Sequence, residues 1–587
     1  MESSGKEKKQ QLTVLIFIAI WAVVNLLQAA FTEVHADEAY YWVYSRFPDW
    51  GYFDHPPAVA LFIRAGDMLL SNTLGLRLIT VIASTWSVWL LWLIVKPYAL
   101  RPRLFILLFS GIVLFHVYGF ITTPDAPLGF FIVLFFYLFQ RYQQEDRLTW
   151  AFLLALVSAA MLYSKYHAIL VIGFTVLSNF RLLARPSFWL VAILASLLFL
   201  PHIWWQVKQN YPSFYYHVID RSAAPYRFSF TLDYLFAQLA LAGPLLGWYL
   251  YTLAARKNIS STPVPDFVQK HPDLFLRAIK FNYAGVFIFF LISTLKGRVE
   301  AHWTLPGMIC LFILAYVHLS RRPADQTGRL FWFEWLAAGN ILLVIIVRLI
   351  LVVPVSALQK INVVAYYFNN RKWAEQIKKK GGDLPVIFLN SFQMPSRYNY
   401  YTRSTKGFAY NSRYYRRNQY DIWPLEDSLQ NKTAYLIREQ SAGGGSEDMI
   451  KTDKGVFYGE KLDHVRMYQK LSVEPVSTVP QVAGKGQMIK LRLKISNPYQ
   501  LPVCLDNKGS KWKCWLEYGY LKDGVAGNFY EFPANLEGVV IQPGGSAEIQ
   551  GAVTAPESSG KFKLIFSIRT EPFQGSRNSS LIALEVK

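Results

Sequence analysis

Cysteine is scarce in this chain: three residues in 587, too few for a disulfide framework. Charge is scarce as well. Asp, Glu, Lys and Arg make up 17% of the residues, below the roughly 25% of ordinary soluble domains. Acidic groups are the rarer sign, 39 against 60 basic ones, for a formal net charge of +21. No glycine-rich loop stands in a convincing phosphate-binding context, and no internal repeat is visible. These shortages argue against a disulfide-stapled module, a nucleotide-loop enzyme and a solenoid.

Apolar surface is abundant instead. The chain is 53% hydrophobic and 16% aromatic, with a mean hydropathy of +0.21. The excess lies in runs of roughly 17 to 25 apolar residues, the length that crosses a bilayer as a helix. About eleven spans are expected, near 11–31, 76–96, 104–120, 126–141, 149–163, 167–181, 187–206, 231–254, 280–295, 304–320 and 330–354. The apolar core after MESSGKEKKQQ is about 20 residues long, which reads as a retained first span rather than a cleaved signal.

The basic residues fit this topology. With Met1 in the cytoplasm, the tail, KPYALRPR, RYQQEDR, RLLARP, Arg256–Lys280 and SRRPADQTGR carry about 18 Lys and Arg, and the opposite connections about 8, as the positive-inside rule requires. The positive charge therefore encodes orientation, and nucleic acid is not an expected partner.

After the last span the pattern changes. Residues 361–470 mix helical and strand signals, as in NNRKWAEQIKKKGG, PVIFLN and AYLIRE, and read as a small α/β domain. Residues 471–587 alternate with period two, as in MIKLRLKISN and KFKLIFSIRT, with turns such as QPGGS. They read as an immunoglobulin-like β-sandwich. The expected division is thus 1–360 in the membrane and two domains, 361–470 and 471–587, outside the cytoplasm. Cys504 and Cys514 flank NKGSKWK there, and a hairpin disulfide is expected between them. Cys310 sits in an apolar run as a packing residue.

The unusual polar residues concentrate in loops on the non-cytoplasmic side. HADEAYYWVYSRFPDWGYFDHPP holds Asp37, Glu38, Asp49, Asp54 and His55, closed by Pro56 and Pro57. Asp125 lies in TTPDAP, Lys165 in YSKYH, and Lys296, Arg298, Glu300 and His302 in KGRVEAHW. Each has a plain structural alternative: helix capping for the aspartates, snorkelling for Lys165, solvation for the last cluster. Together they place acids and bases on one membrane face, where carboxylates tend to be functional. A desolvated aspartate among aromatics has the chemistry of a general base.

A lipid-linked sugar phosphate suits such a site. Cations would stabilise the departing phosphate, and a carboxylate would activate an incoming hydroxyl on the opposite side of the sugar, as in single displacement. The alternative is a transporter or lipid flippase, but such proteins show repeats and interrupted helices at the midplane. Here the spans are largely clean, His116, His202 and Arg348 excepted. A divalent metal is compatible with the carboxylates, Asp54 and His55 being its candidate ligands, yet their spacing fixes no geometry. No other cofactor is implied.

The run ADEAYYWVYSRFPDWGYFDHPP, then TPDAP and SKY, resembles the GT-C membrane glycosyltransferases. It is most similar to the bacterial branch related to protein O-mannosyltransferases and to the lipid A aminoarabinose transferase. The resemblance covers about residues 11–425 and includes RYYRRNQYDIWP. It implies a bacterial inner-membrane protein with a periplasmic site, an undecaprenyl-phosphate-linked sugar as donor, and inversion at the anomeric carbon. The acceptor would be lipid A, another glycan or a protein. By the same resemblance Asp37 is the catalytic carboxylate and Glu38 its support. Asp54 and His55 are the acid and base of the YFxxPP element, Asp125 the acidic residue of the second loop, and Lys165 a phosphate-facing cation. From their loop, Lys296 and Arg298 are expected to assist Lys165 at the phosphate. Tyr40, Glu300 and His302 complete the expected pocket. Tyr40 stands where the lipid A enzymes have arginine, and His55 replaces their lysine, so phosphate contact is expected to titrate near neutrality.

Overall fold

Within a bilayer the backbone must satisfy its own hydrogen bonds, and long apolar runs therefore wind into helices. The computed structural model describes residues 2–221, 225–255, 274–321, 327–443 and 447–587. The chain divides into two compact units, Met1–Phe368 and Asn369–Lys587.

The first unit is helical. Its elements are α1 (Glu2–Phe31), α2 (Ala36–Arg46), α3 (Ala58–Leu69), α4 (Thr73–Val95), α5 (Pro102–Gly111), α6 (Val113–Val117), α7 (Asp125–Gln144), α8 (Leu148–Ser164), α9 (Ala168–Ser178) and α10 (Pro186–Lys208). They continue with α11 (Phe228–Ala242), α12 (Gly247–Ala254), α13 (Leu274–Ser293), α14 (Leu305–Ser320) and α15 (Thr327–Val352). Among the described residues, six helices are long and apolar enough to cross a membrane, or seven if α11 and α12 count as one broken span. The other expected spans fall on α7 and on the shorter apolar pieces α5–α6, α8 and α9. The expected basic connections Arg256–Lys280 and Ser320–Arg329 lie largely outside the described residues.

Helix α14 is buried along its whole length and forms the axis of the core, with Phe312 and Tyr316 packed on Phe105 of α5. Buried helices of this kind are apolar on every side. The α11–α12 pair bends by 96° at Gly243-Pro244. Asn340 of α15 fills the break: its Oδ1 accepts from the Leu245 N–H at 3.0 Å and its Nδ2 donates to the Gly111 carbonyl at 3.2 Å. Asn340 thus ties the break to the end of α5.

The second unit begins with α16 (Asn370–Gly381) and α17 (Gln393–Thr402) beside a sheet of order β2-β1-β3-β5-β4. Its strands are β1 (Val386–Leu389), β2 (Gly407–Tyr410), β3 (Ala434–Arg438), β4 (Asp448–Thr452) and β5 (Gly455–Leu462). The first three run parallel, and β5 and β4 close the edge antiparallel. Trp373, Ala374 and Ile377 of α16 pack on Val386, Phe388 and Tyr435.

A β-sandwich follows, of β6 (Ser472–Pro475), β7 (Val482–Ala483), β8 (Met488–Ser496), β9 (Val503–Cys504), β10 (Cys514–Lys522), β11 (Val525–Glu531), β12 (Val540–Ile541), β13 (Ser546–Thr554), β14 (Gly560–Thr570) and β15 (Ile582–Val586). In β8 the side chains of Ile489, Leu491, Leu493 and Ile495 are buried and those between them exposed, the period-two signature of a strand with one wet face. The expected disulfide is absent. Both cysteines are free, because Cys504 pairs with Val540 whereas Cys514 pairs with Thr570, so the two do not face each other across a hairpin. Asn507 instead ties the intervening loop, bonding the Cys514 N–H and carbonyl at 2.7 and 2.9 Å.

Gly243 has φ +117°, and a Cβ there would meet Asn340 Nδ2 at 1.8 Å. Gly243→Ala is therefore expected to cost about 2 kcal/mol or more, read as a lower thermal midpoint of the detergent-solubilised protein, while Gly173→Ala, which meets nothing within 4 Å, leaves it unchanged.

Candidate active site

The site starts from one helix terminus. His35 caps α2, accepting from the Asp37 N–H, while its own N–H donates to Glu38 Oε2 at 3.0 Å, a reciprocal capping box. Adjacent helical residues point about 100° apart, and here the two acids separate. Glu38 turns inward and is fully buried. Asp37 stays half-exposed, with His35 Nδ1 3.8 Å away.

Glu38 meets Arg77, also fully buried, on α4. The guanidinium donates to both carboxylate oxygens at 2.8 and 2.6 Å, and to the carbonyls of Ala29, Thr32 and Glu33. The Thr122 N–H donates to Glu38 Oε1 at 2.9 Å. Burial alone would raise the Glu38 carboxyl; the Arg77 charge and these donors outweigh it and hold the group below the usual range. Glu38 thereby joins the end of α1, the start of α2, α4 and the loop ahead of α7. The expected supporting acid of the reaction is engaged on both oxygens, and its partner Arg77 had looked in the sequence like a residue of an apolar span.

The loop after α2 is clamped on α10. Trp205 Nε1 donates to Asp49 Oδ2 at 2.8 Å, the His202 ring bonds the Trp50 carbonyl at 2.7 Å, and Gly51 lies against both rings, where a Cβ would meet Trp205 at 2.5 Å. Tyr52 stacks on Tyr44 with centroids 4.0 Å apart. Tyr44 donates to Asp54 Oδ1 at 2.6 Å, and His217 bonds the Asp54 carbonyl at 2.8 Å. Tyr40 is buried against Tyr44. His55 lies 6.1 Å from the His217 ring and 5.8 Å from Tyr41.

The second cluster brings together four separate loops. Lys165, at the end of α8, donates to both oxygens of Asp125 at 2.8 Å, and both side chains are buried. His302 Nε2 lies 3.6 Å from the same carboxylate. Trp303 gathers the cations: the Lys165 ammonium is 6.0 Å and the Arg221 guanidinium 4.6 Å from its ring. Arg221 also pairs with Glu300 at 3.1 Å, and Gly297 lies on the Arg221 carbonyl, where a Cβ would come within 2.7 Å. Burial pulls the Lys165 ammonium down, opposed by Asp125. The two clusters are electrostatic neighbours: His55 feels Asp54, Lys165, His217 and Asp125, and Tyr41 feels Asp54, Asp37 and Asp125.

Asp37, Asp54, His55, Asp125, Lys165, Glu300 and His302 thus share one end of the helical unit. Lys296 and Arg298 do not join them. Both are exposed, on a segment where Gly297 and Val299 are buried between them, and neither forms an ion pair among the described residues. The cation beside Lys165 is Arg221, which sequence reasoning missed although it lies in the loop Trp205–Arg227; His167, His217 and Trp303 were likewise unassigned. No three His, Cys, Asp or Glu side chains converge as a metal-ligand set among the described residues, so the Asp54–His55 pair lacks the third protein ligand that a closed site would draw on.

Comparison with known proteins rests on this geometry. Residues 54–205 match the family model for dolichyl-phosphate-mannose-protein mannosyltransferase. No curated protein matches the chain. Among solved structures, ArnT from Cupriavidus metallidurans in the apo state superposes with a TM-score of 0.55 at 14% identity, covering 78% of this chain and 98% of that one. The same enzyme bound to undecaprenyl phosphate gives 0.53 at 15% identity, covering 76% and 97%. The fold is that of the GT-C glycosyltransferases. In this GT-C frame the loop-borne acids and cations described above stand at one end of the helices.

The expected titration of His55 near neutrality is not found: burial lowers its imidazole to about 3, and the ring is neutral at pH 7. Below about 6.5 the unfolded chain takes up a proton that folded His55 refuses. The stability contribution is complete above pH 6.5 and falls by about 2 kcal/mol between pH 6.5 and 5. His55→Gln is expected to flatten that part of the curve of thermal midpoint against pH.

Breaking the Glu38–Arg77 pair on one side strands a buried charge, at about 3–5 kcal/mol. Arg77→Met and Glu38→Gln are each expected to lower the thermal midpoint by several degrees, and the double variant by less than the sum. A Glu38→Gln protein with wild-type stability and no activity would instead return Glu38 to the chemistry.

Proposed function

We propose that the protein transfers a sugar from a polyprenyl phosphate, undecaprenyl phosphate in a bacterial inner membrane, to an acceptor at the loop end of its helical unit. The carrying observation is the buried Asp125–Lys165 pair with Trp303 and Arg221 beside it: two cations on one indole, with His302 in the field of both Lys165 and Asp37 and His55 in the field of both Lys165 and Asp54. The similarity in fold to an enzyme crystallised with undecaprenyl phosphate supports the same lipid here.

In this reading the acceptor oxygen bonds to the anomeric carbon as the bond from that carbon to the phosphate oxygen breaks, inverting the centre. The bonding electrons leave with the prenyl phosphate, whose growing charge Lys165 and Arg221 offset in a low-dielectric site. Asp37 takes the acceptor proton, or orients the acceptor. It is suited to this because its carboxylate is half-exposed and its ion-pair partner among the described residues is His35, at 3.8 Å, whereas Asp125 is held by Lys165 on both oxygens. Tyr44 and His217 hold Asp54 in the pocket wall, and His55 lines the phosphate side as a neutral hydrogen-bonding group.

The loops and the second unit lie on the periplasmic side in this scheme, with Met1 in the cytoplasm. The sugar is a hexose or pentose, and the acceptor lipid A, another envelope glycan or a protein. Envelope mass spectrometry of a deletion strain, which loses one sugar increment from one acceptor class, identifies both.

Asp37→Asn is expected to abolish transfer from undecaprenyl-phosphate sugars while keeping the thermal midpoint and the binding of undecaprenyl phosphate. Wild-type turnover in that variant would remove Asp37 from the mechanism. Lys165→Met is expected to lower kcat by about 10²–10³, measured on the purified protein.

A further inference from the structure

The second unit presents a one-sided cationic helix that the sugar-transfer chemistry does not use. In α16 the side chains of Asn370, Trp373, Ala374 and Ile377 are buried against the sheet, while Arg371, Lys372, Lys378, Lys379 and Lys380 are exposed. These five cations share their surface with one acid, Glu375. Their compensation within the protein is slight. Lys372 lies 3.8 Å from Asp453 and Lys380 3.6 Å from Asp448, both as exposed pairs, which hold little energy. Lys378 and Lys379 form no ion pair among the described residues.

Chain length limits how far α16 can lie from the end of the last apolar helix. The last apolar helix ends at Val352 and α16 begins at Asn370, a connection of at most about 60 Å even if fully extended. Part of it is wound, at Leu358–Lys360 and Asn362–Ala365, which shortens its reach. A polybasic face tethered beside a bilayer is drawn to anionic headgroups, and the attraction is screened by salt within a Debye length.

We propose that the exposed face of α16, from Arg371 to Lys380, docks on the phosphate headgroups of anionic phospholipids in the bilayer that holds the helical unit. The occupant is the lipid surface itself. Charge complementarity and the short tether carry the assignment, which is independent of the reaction proposed above.

Lysine acetylation footprinting tests it on the full chain in nanodiscs of phosphatidylcholine, with and without phosphatidylglycerol. Lys378 and Lys379 are expected to label at least about threefold more slowly in phosphatidylglycerol discs, and 0.5 M salt restores their labelling. The exposed Lys490 and Lys494 of β8 serve as internal references. In the R371Q/K378Q/K379Q/K380Q variant, whose changes are all on the exposed face, the remaining Lys372 is expected to lose its lipid-dependent protection. Equal labelling in the two disc types overturns the proposal. So does equal protection in both, since the face is then covered by something other than anionic lipid, and so does protection of Lys372 that survives the fourfold substitution.

Discussion

The Glu38–Arg77 ion pair is the constraint on which the rest of the loop end depends. A salt bridge between two fully buried groups is worth little as a source of net stability, because both charges lose their hydration. Its value lies in geometry. Arg77 donates to three carbonyls at the end of α1 as well as to Glu38, and Glu38 accepts from the Thr122 backbone. Three segments distant in sequence, the α1–α2 junction, α4 and the loop ahead of α7, are thereby held in one arrangement, and any slip leaves a charge or an amide unpaired in an apolar surround. Asp37, next to Glu38, and Asp125, three residues beyond Thr122, inherit their positions from this lock.

The sequence made the class of fold legible because the bilayer writes it in a simple code. Apolar length specifies spans, and period two in MIKLRLKISN specifies a strand with one buried face. What it could not show was which of two adjacent acids turns inward. Asp37 and Glu38 look equivalent in the string ADEAYYW, and only the partner 39 residues away, in a run that reads as lipid-facing, decides between them. The KGRVEAHW cluster has the same lesson. Four ionisable residues there look like one group, but the segment has no single period: Lys296 and Arg298 lie exposed before a 3-10 turn at Ala301–Thr304, while Glu300 and His302, at the start of that turn, pair with Arg221 and Asp125. Arg221 was invisible for the opposite reason: nothing in the loop around it marks it, and its role depends on Trp303 and on close packing at Gly297.

The helix break at Gly243-Pro244 shows how one feature can support opposite readings until its partners are known. Interrupted membrane helices commonly expose backbone groups to a transported ion. Here Asn340 reaches into the break from a neighbouring helix, accepting from the Leu245 N–H and donating to the Gly111 carbonyl at the end of α5. A kink tied to its neighbours in this way shapes the bundle, so the break alone does not favour the transport alternative.

Charge balance sets the terms on which a phosphate can enter. Lys165 is already neutralised by Asp125 and Arg221 by Glu300, and the histidines of the loop end are made less basic by burial. A phosphate cannot simply add to such a site. It must compete with a carboxylate for each cation, and its gain is the difference between two charge-assisted contacts rather than one contact created from nothing. On the proposed reading that exchange keeps both cations in place, Lys165 in a buried setting, which lowers the reorganisation needed when charge develops on the departing oxygen. It also ties affinity to charge state. A leaving phosphate monoester carries more negative charge than the sugar-linked diester, and so competes better for Lys165 and Arg221. On the proposed reading, then, the same paired carboxylates that hold the cations in place make the contacts grow stronger along the reaction than they are at its start.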